Sequence, residues 1–358
     1  MKLAIYGAQS IAFGTYKAIK ELFSEQEILG FIVSEMGTNT HTLGGIPVME
    51  LDDFLERTSQ DEMEKLEVLI ATPENVMQDI ETNLNRAGIN HYVCLDSLRW
   101  AELVRNAFLR SGKFLPLAAY VVGHSRVKLH VFKMIHSKDK LLKTQYQDKE
   151  YIRTLQVGSA GSLEIESDYK DHQGDNISEK NGNYSELTGL YWIWKNHLCM
   201  QESDDYYGLA HYRRQLDLSD DDILRLKDNA IDVVLPYPMP YDPNIEVHHK
   251  RYLSDDEWGA VLEALRELYP EYAEAFKDIL GQEYLYNYNI ILAKREVLEK
   301  YCAWLFPILF RIEELNDSDG KKVPNRYIGY VGENLETLYF MYNKTKLKIA
   351  YAGIKFLV

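Results

Sequence analysis

A chain of 358 residues, 46% of them hydrophobic, is long enough to build two domain cores. Its formal net charge of −15 disfavours a general nucleic-acid binder, which needs a basic face, so an anionic substrate would require a local basic pocket. No run of about 18 apolar residues is present, and Met1-Lys2-Leu3-Ala4-Ile5-Tyr6 is too short an apolar start for a signal peptide; the expected location is cytoplasmic, with peripheral contact at the inner membrane face left open.

Short apolar runs at 3–6, 28–33, 66–71 and 92–95 read as buried strands, and 11–22, 75–85 and 98–109 carry helical patterns. This alternation predicts a Rossmann-like parallel sheet domain over 1–115, left through a linker at 116–126. A second α/β domain is predicted over 127–358. It opens with a strand at 127–135 and a polar loop to about 175. A helix follows at 184–196, with Asn183 as N-cap and Glu186 in a capping-box position. Strands are expected at 206–211, 231–235 and 288–293, and helices at 255–268, 271–280, 296–315 and 332–342. Cys94, Cys199 and Cys302 are far apart and odd in number, and read as buried small hydrophobes rather than a metal or disulfide framework.

Gly7-Ala8-Gln9-Ser10-Ile11-Ala12 follows the first strand and opens a helix, where a dinucleotide fingerprint G-x-G-x-x-G/A would stand. Glu35, after the second strand, lies near the position of a ribose-binding acid. Gln9, however, replaces the glycine that lets the backbone approach a pyrophosphate. Gly7 and Glu35 are thus the candidate cofactor contacts for NAD, and a turn used only for packing is the competing reading.

The densest chemistry lies between Asp175 and Arg214. Asp175, Asn176 and Asn181 precede a helix whose aromatic positions include Tyr191, Trp192 and Trp194, followed by Lys195. The run His211-Tyr212-Arg213-Arg214 closes a central strand, the end at which open α/β sheets bind ligands. Strand alternation would put His211 and Arg213 on one face and Tyr212 and Arg214 on the other. An arginine fork there suits a diphosphate.

The runs Asp175–Ser178, 181–188, 191–196 and 208–214 resemble those of bacterial capsular and exopolysaccharide proteins that carry a glycosyltransferase-associated domain of unknown function. Further matches lie at Asn287-Tyr288-Asn289, around Tyr301, and from Arg326 to Glu333. The resemblance covers about 127–358. It implies a GT-A-like glycosyltransferase that moves a hexose, galactofuranose or galactose, from a UDP-sugar to a lipid-linked oligosaccharide acceptor. It also implies Mn2+ or Mg2+ held by an Asp-x-Asp. In this chain His211-Tyr212-Arg213-Arg214 stands at that place, while Asp204-Asp205 precedes the strand and Asp220-Asp221-Asp222 opens the next helix.

Transfer requires a stabilised leaving diphosphate and a base for the acceptor hydroxyl. Arg213 and Arg214 are assigned to the diphosphate, with Lys195 and Arg326 as helpers. Glu333, Asp175, His211 and His248 are the candidate bases. Asn181, Glu186, Trp192, Trp194 and Asn289 are the expected sugar contacts. The rival readings are a non-catalytic sugar-binding or scaffold protein, an NAD-dependent oxidoreductase using the glycine turn, and a glycoside hydrolase with paired carboxylates.

Overall fold

The computed structural model describes residues 2–142, 146–198, 204–317 and 325–357. Two α/β units are stacked. The first sheet starts with β1 (Lys2–Tyr6), an apolar run buried on both faces, as a parallel strand covered by helices must be. Helix α1 (Ser10–Leu22) leads to β2 (Ile28–Val33), the hairpin β3 (Thr42–Leu43) and β4 (Ile46–Glu50), and the short helices α2 (Leu51–Arg57) and α3 (Gln60–Met63). Then come β5 (Leu66–Ile70), α4 (Glu74–Arg86), β6 (Tyr92–Cys94) and α5 (Ser97–Ser111). The strand order is β3-β4-β2-β1-β5-β6, parallel apart from the β3–β4 hairpin. The sequence pattern missed that hairpin, whose strands are short and only partly buried. Helix α5 has clear punctuation: the Asp96 carboxylate accepts from the Arg99 N–H at 2.9 Å, and Gly112 ends it in the left-handed conformation.

The second sheet is assembled from β7 (Leu129–Ile135), β8 (Ile152–Gln156), β9 (Tyr169–Lys170), β10 (Tyr206–His211), β11 (Arg214–Leu216), β12 (Val233–Pro236), β15 (Leu292–Lys294), β16 (Ile349–Ala352) and β17 (Ile354–Phe356), while β13 (Met239–Pro240) and β14 (Tyr284–Leu285) pair separately. Its order is β16-β12-β15-β10-β7-β8-β9. β10 is central, parallel to β7 and antiparallel to β15. The helices are α6 (Asn181–Tyr184), α7 (Leu187–Ile193), α8 (Asp220–Asp228), α9 (Ile245–His248), α10 (Asp255–Leu268), α11 (Pro270–Leu280), α12 (Arg295–Asn316) and α13 (Tyr327–Tyr342).

The two units share a core. Trp100, Val104 and Phe108 of α5 belong to the same buried cluster as Tyr237, Tyr286 and Tyr351 of the second unit. Lys17 pairs with Glu283 at 2.7 Å across the boundary. The stretch 116–126 packs as it crosses: Leu117 is buried, and Pro116 bridges to Tyr351.

Three expected elements are changed by polar side chains. The helix foreseen over 184–196 is broken at Ser185, whose φ is +51°. Asn181 is the cause: its amide takes the Ser185 carbonyl at 2.7 Å and diverts it from helix pairing. The helix resumes as α7 and widens into a π-turn at Trp194–Leu198. Asn183 is therefore no N-cap and instead accepts from the Asn325 N–H. The strand foreseen at 288–293 is confined to Leu292–Lys294, because Tyr288 and Asn289 adopt φ of +77° and +49°. Helix α13 starts at Tyr327, five residues before expectation, after a left-handed Arg326. Cys302 is buried, Cys94 half-buried, and Cys199 lies outside the described residues. No helix among the described residues is long and apolar enough to cross a membrane.

Candidate active site

β10 ends at His211, and a two-residue turn at Tyr212–Arg213 returns the chain into β11, pairing His211 with Arg214. Cross-strand partners share a face. His211 and Arg214 therefore point together into a cavity of about 470 Å³, and the expectation that His211 would share a face with Arg213 is corrected by the turn. A cleft of this size beyond the carboxyl end of a central strand has the dimensions and position of a small-molecule site.

Glu333, in the second turn of α13, and Glu186, just before α7, supply its acidic wall. Glu333 does not cap a helix; its Oε1 accepts the Tyr288 N–H at 2.9 Å, which helps hold Tyr288 at positive φ. Glu186 makes no cap bond either. Its Oε1 accepts from Asn289 Nδ2 at 2.6 Å, and the same amide reaches the Gly329 carbonyl at 3.2 Å. Asn289 is thus behind the wall as a support for Glu186, not a lining residue. Burial, reinforced by the charge of Glu186, pushes the Glu333 carboxyl up to about 8, against the Tyr288 N–H, Arg214 and Arg326. Buried Glu336, deeper in α13, is held well above the ordinary carboxyl range by burial and by Glu333 and Glu186.

The basic wall is Arg214 and Arg326. The Arg214 guanidinium sits 4.4 Å over the Tyr288 ring and 5.6 Å from that of Phe356, and its Nε is buried without a protein partner. Arg326 is exposed and steadied by Ser185 Oγ at 3.1 Å from its Nε. Three imidazoles, His211, His248 and His249, line the cavity, and burial lowers each below the usual histidine range. Burial holds His211 below the usual histidine range, and its Nε2 has no partner. Burial, then Arg251 and His249, lowers His248 to about 4, and its ring stacks on Tyr241 at 3.6 Å.

The structure separates the other predicted residues from this cavity. Trp192 is 4% exposed, donates from Nε1 to the Gln173 carbonyl, and packs on Phe132 and Tyr169. Trp194 stacks on Phe306 with an interplanar angle of 6°, and Lys195 Nζ lies 3.7 Å from its ring centre. The helical turn carries these side chains away from the cavity, and none of them lines it. Asn181 is used to break the helix. Asp175 is exposed and accepts from the Tyr191 hydroxyl at 3.1 Å. Arg213 lines a neighbouring cavity. Sequence reasoning missed Tyr241, Asn287, Tyr330 and Asn334, which also line the site; the Asn-Tyr-Asn run at 287–289 was the available signal, since such residues favour turns over strands.

Neither cofactor expectation finds a ready set of contacts. Among the described residues no three His, Cys, Asp or Glu side chains converge to hold a metal ion. Asp205 meets His130 and Asp204 faces Lys227, while Asp222 completes the capping box at the start of α8. The Asp-x-Asp that the resemblance implies for Mn2+ or Mg2+ is replaced here by His211-Tyr212-Arg213-Arg214, as the sequence already indicates. At the glycine turn, Gly7 has φ +124° and an added Cβ would stand 2.6 Å from the Ala71 carbonyl, so glycine is required by the turn itself. Gln9 accepts from Arg251 at 2.6 Å and donates to Asn39, and Glu35 is exposed. Gln9 and Ser10 line the cavity of the second unit, so the turn helps close that site.

Fold and site together define a two-unit α/β protein with a polar cavity at the carboxyl end of its central strand. Residues 130–344, more than half of the chain, match the family described as a domain of unknown function, DUF4422, and the chain belongs to that family. It is similar in structure to a protein described as the WbbM bifunctional glycosyltransferase in its apo form, with a TM-score of 0.55 and 25% identity, over 64% of this chain and 45% of that one. The match thus spans less than half of that protein's length. No curated protein matches the sequence.

Proposed function

We propose that this chain is a glycosyltransferase whose active site is the cavity between Glu186, Glu333, Arg214 and Arg326. The observation that carries the reading is the opposition of two carboxyl groups to two guanidinium groups in one cleft at the end of β10. The likeness to a glycosyltransferase structure supports the same class. The proposed donor is a UDP-linked hexose, galactose or galactofuranose, and the acceptor a lipid-linked glycan in capsule or exopolysaccharide assembly, reached from the inner membrane face.

In this reading the acceptor hydroxyl oxygen bonds to the anomeric carbon as the bond from that carbon to the diphosphate oxygen breaks. The hydroxyl proton passes to Glu333, and the charge left on the diphosphate is met by Arg214 and Arg326. A carboxyl pushed up to about 8 titrates near working pH, where a base combines availability with driving force. Low-pKa His248 and partnerless His211 are suited to hydrogen bonding as neutral rings. Calorimetric titration with UDP tests the reading. Arg214→Ala should weaken UDP binding at least tenfold and lower kcat/KM by about 10²–10³-fold, the loss typical of a donor to developing charge. Unchanged UDP affinity in that variant would sink the assignment.

A further inference from the structure

We propose that a second cavity, between the carboxyl ends of the two sheets, is the subsite for the glycan acceptor, and that the first unit is therefore an acceptor-reading element; this rests on the transferase reading above. The cavity is about 350 Å³. Thr72 and Leu95, which follow β5 and β6, line one side, and Arg213, which follows β10, lines the other.

Continuity places it in the reaction path. Arg214 and Tyr288 line both cavities. The Tyr288 N–H is bonded to Glu333 at 2.9 Å, so the wall that the two cavities share adjoins the proposed base. The lining chemistry fits a sugar chain. The rings of Trp100, Tyr237, Tyr288 and Phe356 line it with apolar surface suited to the C–H faces of pyranose rings, the Arg214 guanidinium covering one side of Tyr288. Polar groups stand between them: Asn75 is exposed at the edge, and Thr72 Oγ1 is buried with no partner among the described residues. A ligand hydroxyl would satisfy that group. Glu74, the one acid among the described lining residues, accepts from the Ser97 N–H at 2.8 Å, while Arg213 contributes positive charge. The cavity therefore suits a neutral or anionic glycan over a cationic ligand.

The test is calorimetric titration of the full chain with UDP and, separately, with octyl β-galactoside, octyl β-glucoside and octyl α-mannoside as acceptor probes. Asn75→Trp plugs the cavity from an exposed position, and Thr72→Val removes the hydroxyl at nearly constant volume. At least one glycoside should bind the wild type, tenfold or more weakly to Asn75→Trp and several-fold more weakly to Thr72→Val, with UDP affinity unchanged in both. The proposal is overturned if no glycoside binds, if the plug leaves glycoside affinity unchanged, or if it weakens UDP binding instead, which would put the donor there. Glycoside binding that the plug removes, in a protein that does not bind UDP, would support the cavity as a glycan site and sink the transferase reading alone.

Discussion

The ends of β1 and β10 face a common cleft yet treat polar groups in opposite ways. At the end of β1, the Gly7 N–H is bonded to the Ile32 carbonyl, and both ends of the Gln9 amide are engaged. At the end of β10, His211 Nε2 and Arg214 Nε are buried without partners among the described residues, and burial and Glu186 push the Glu333 carboxyl up to about 8. Buried polar groups without partners cost stability, so a fold that keeps several of them in one cleft is organised for something that enters it. The same topological position is thus hydrogen-bonded shut after β1 and lined by unpaired polar groups after β10.

The largest effect should come from Glu333→Gln. As the proposed base it is needed deprotonated, so wild-type activity should rise with pH through about 8, and the variant should lose about 10²–10³-fold in kcat together with that limb of the profile. Stability should move the other way. Below the ordinary glutamate range the folded and unfolded chains are both protonated. Between there and about 8 the folded chain alone keeps the proton, so stability falls by up to about 1.4 kcal/mol per pH unit as pH rises. Glutamine removes that decline, and the variant should melt above the wild type at pH 8. A lower Tm with normal kcat would make Glu333 structural and erase the contrast between the two sheet ends.

Trp192→Ala tests the same contrast from inside the core. It should cost about 3–5 kcal/mol in denaturant unfolding, as large-to-small changes in a packed core do, while leaving UDP affinity unchanged. A selective loss of UDP binding would return Trp192 to the site from which its bond to Gln173 removes it.

How much of this was legible in the sequence follows from the range of each interaction. The alternation of strands and helices, the end of β10 and the acid in 326–333 were readable, because an apolar run ending in His211-Tyr212-Arg213-Arg214 is a local signal. The turn that puts Arg214 rather than Arg213 beside His211 was not readable from strand alternation. Nor was the support of Glu186 by Asn289, 103 positions away, or the helix break made by Asn181. Trp192 and Trp194 look like sugar platforms in a list of residues, but helical spacing directs them to different neighbours, and only the packed core decides which.

Gly7→Ala and Glu35→Ala are the small-effect end and address the first sheet alone. Gly7→Ala places a Cβ 2.6 Å from the Ala71 carbonyl at φ +124°, so it should destabilise by about 1–3 kcal/mol. Because Gln9 and Ser10 two and three residues later line the proposed active-site cavity, KM for the donor should rise modestly as the turn shifts. Glu35 is exposed, and its carbonyl rather than its carboxylate receives the Asn39 amide. Glu35→Ala should therefore stay within about 0.5 kcal/mol of the wild type, the range of ordinary surface changes, with UDP affinity and turnover unaltered. Calorimetric NAD binding that disappears with Glu35→Ala would reverse this. The carboxylate would then be a ribose contact, and the first sheet would carry a nucleotide site of its own in place of a wall for its neighbour's.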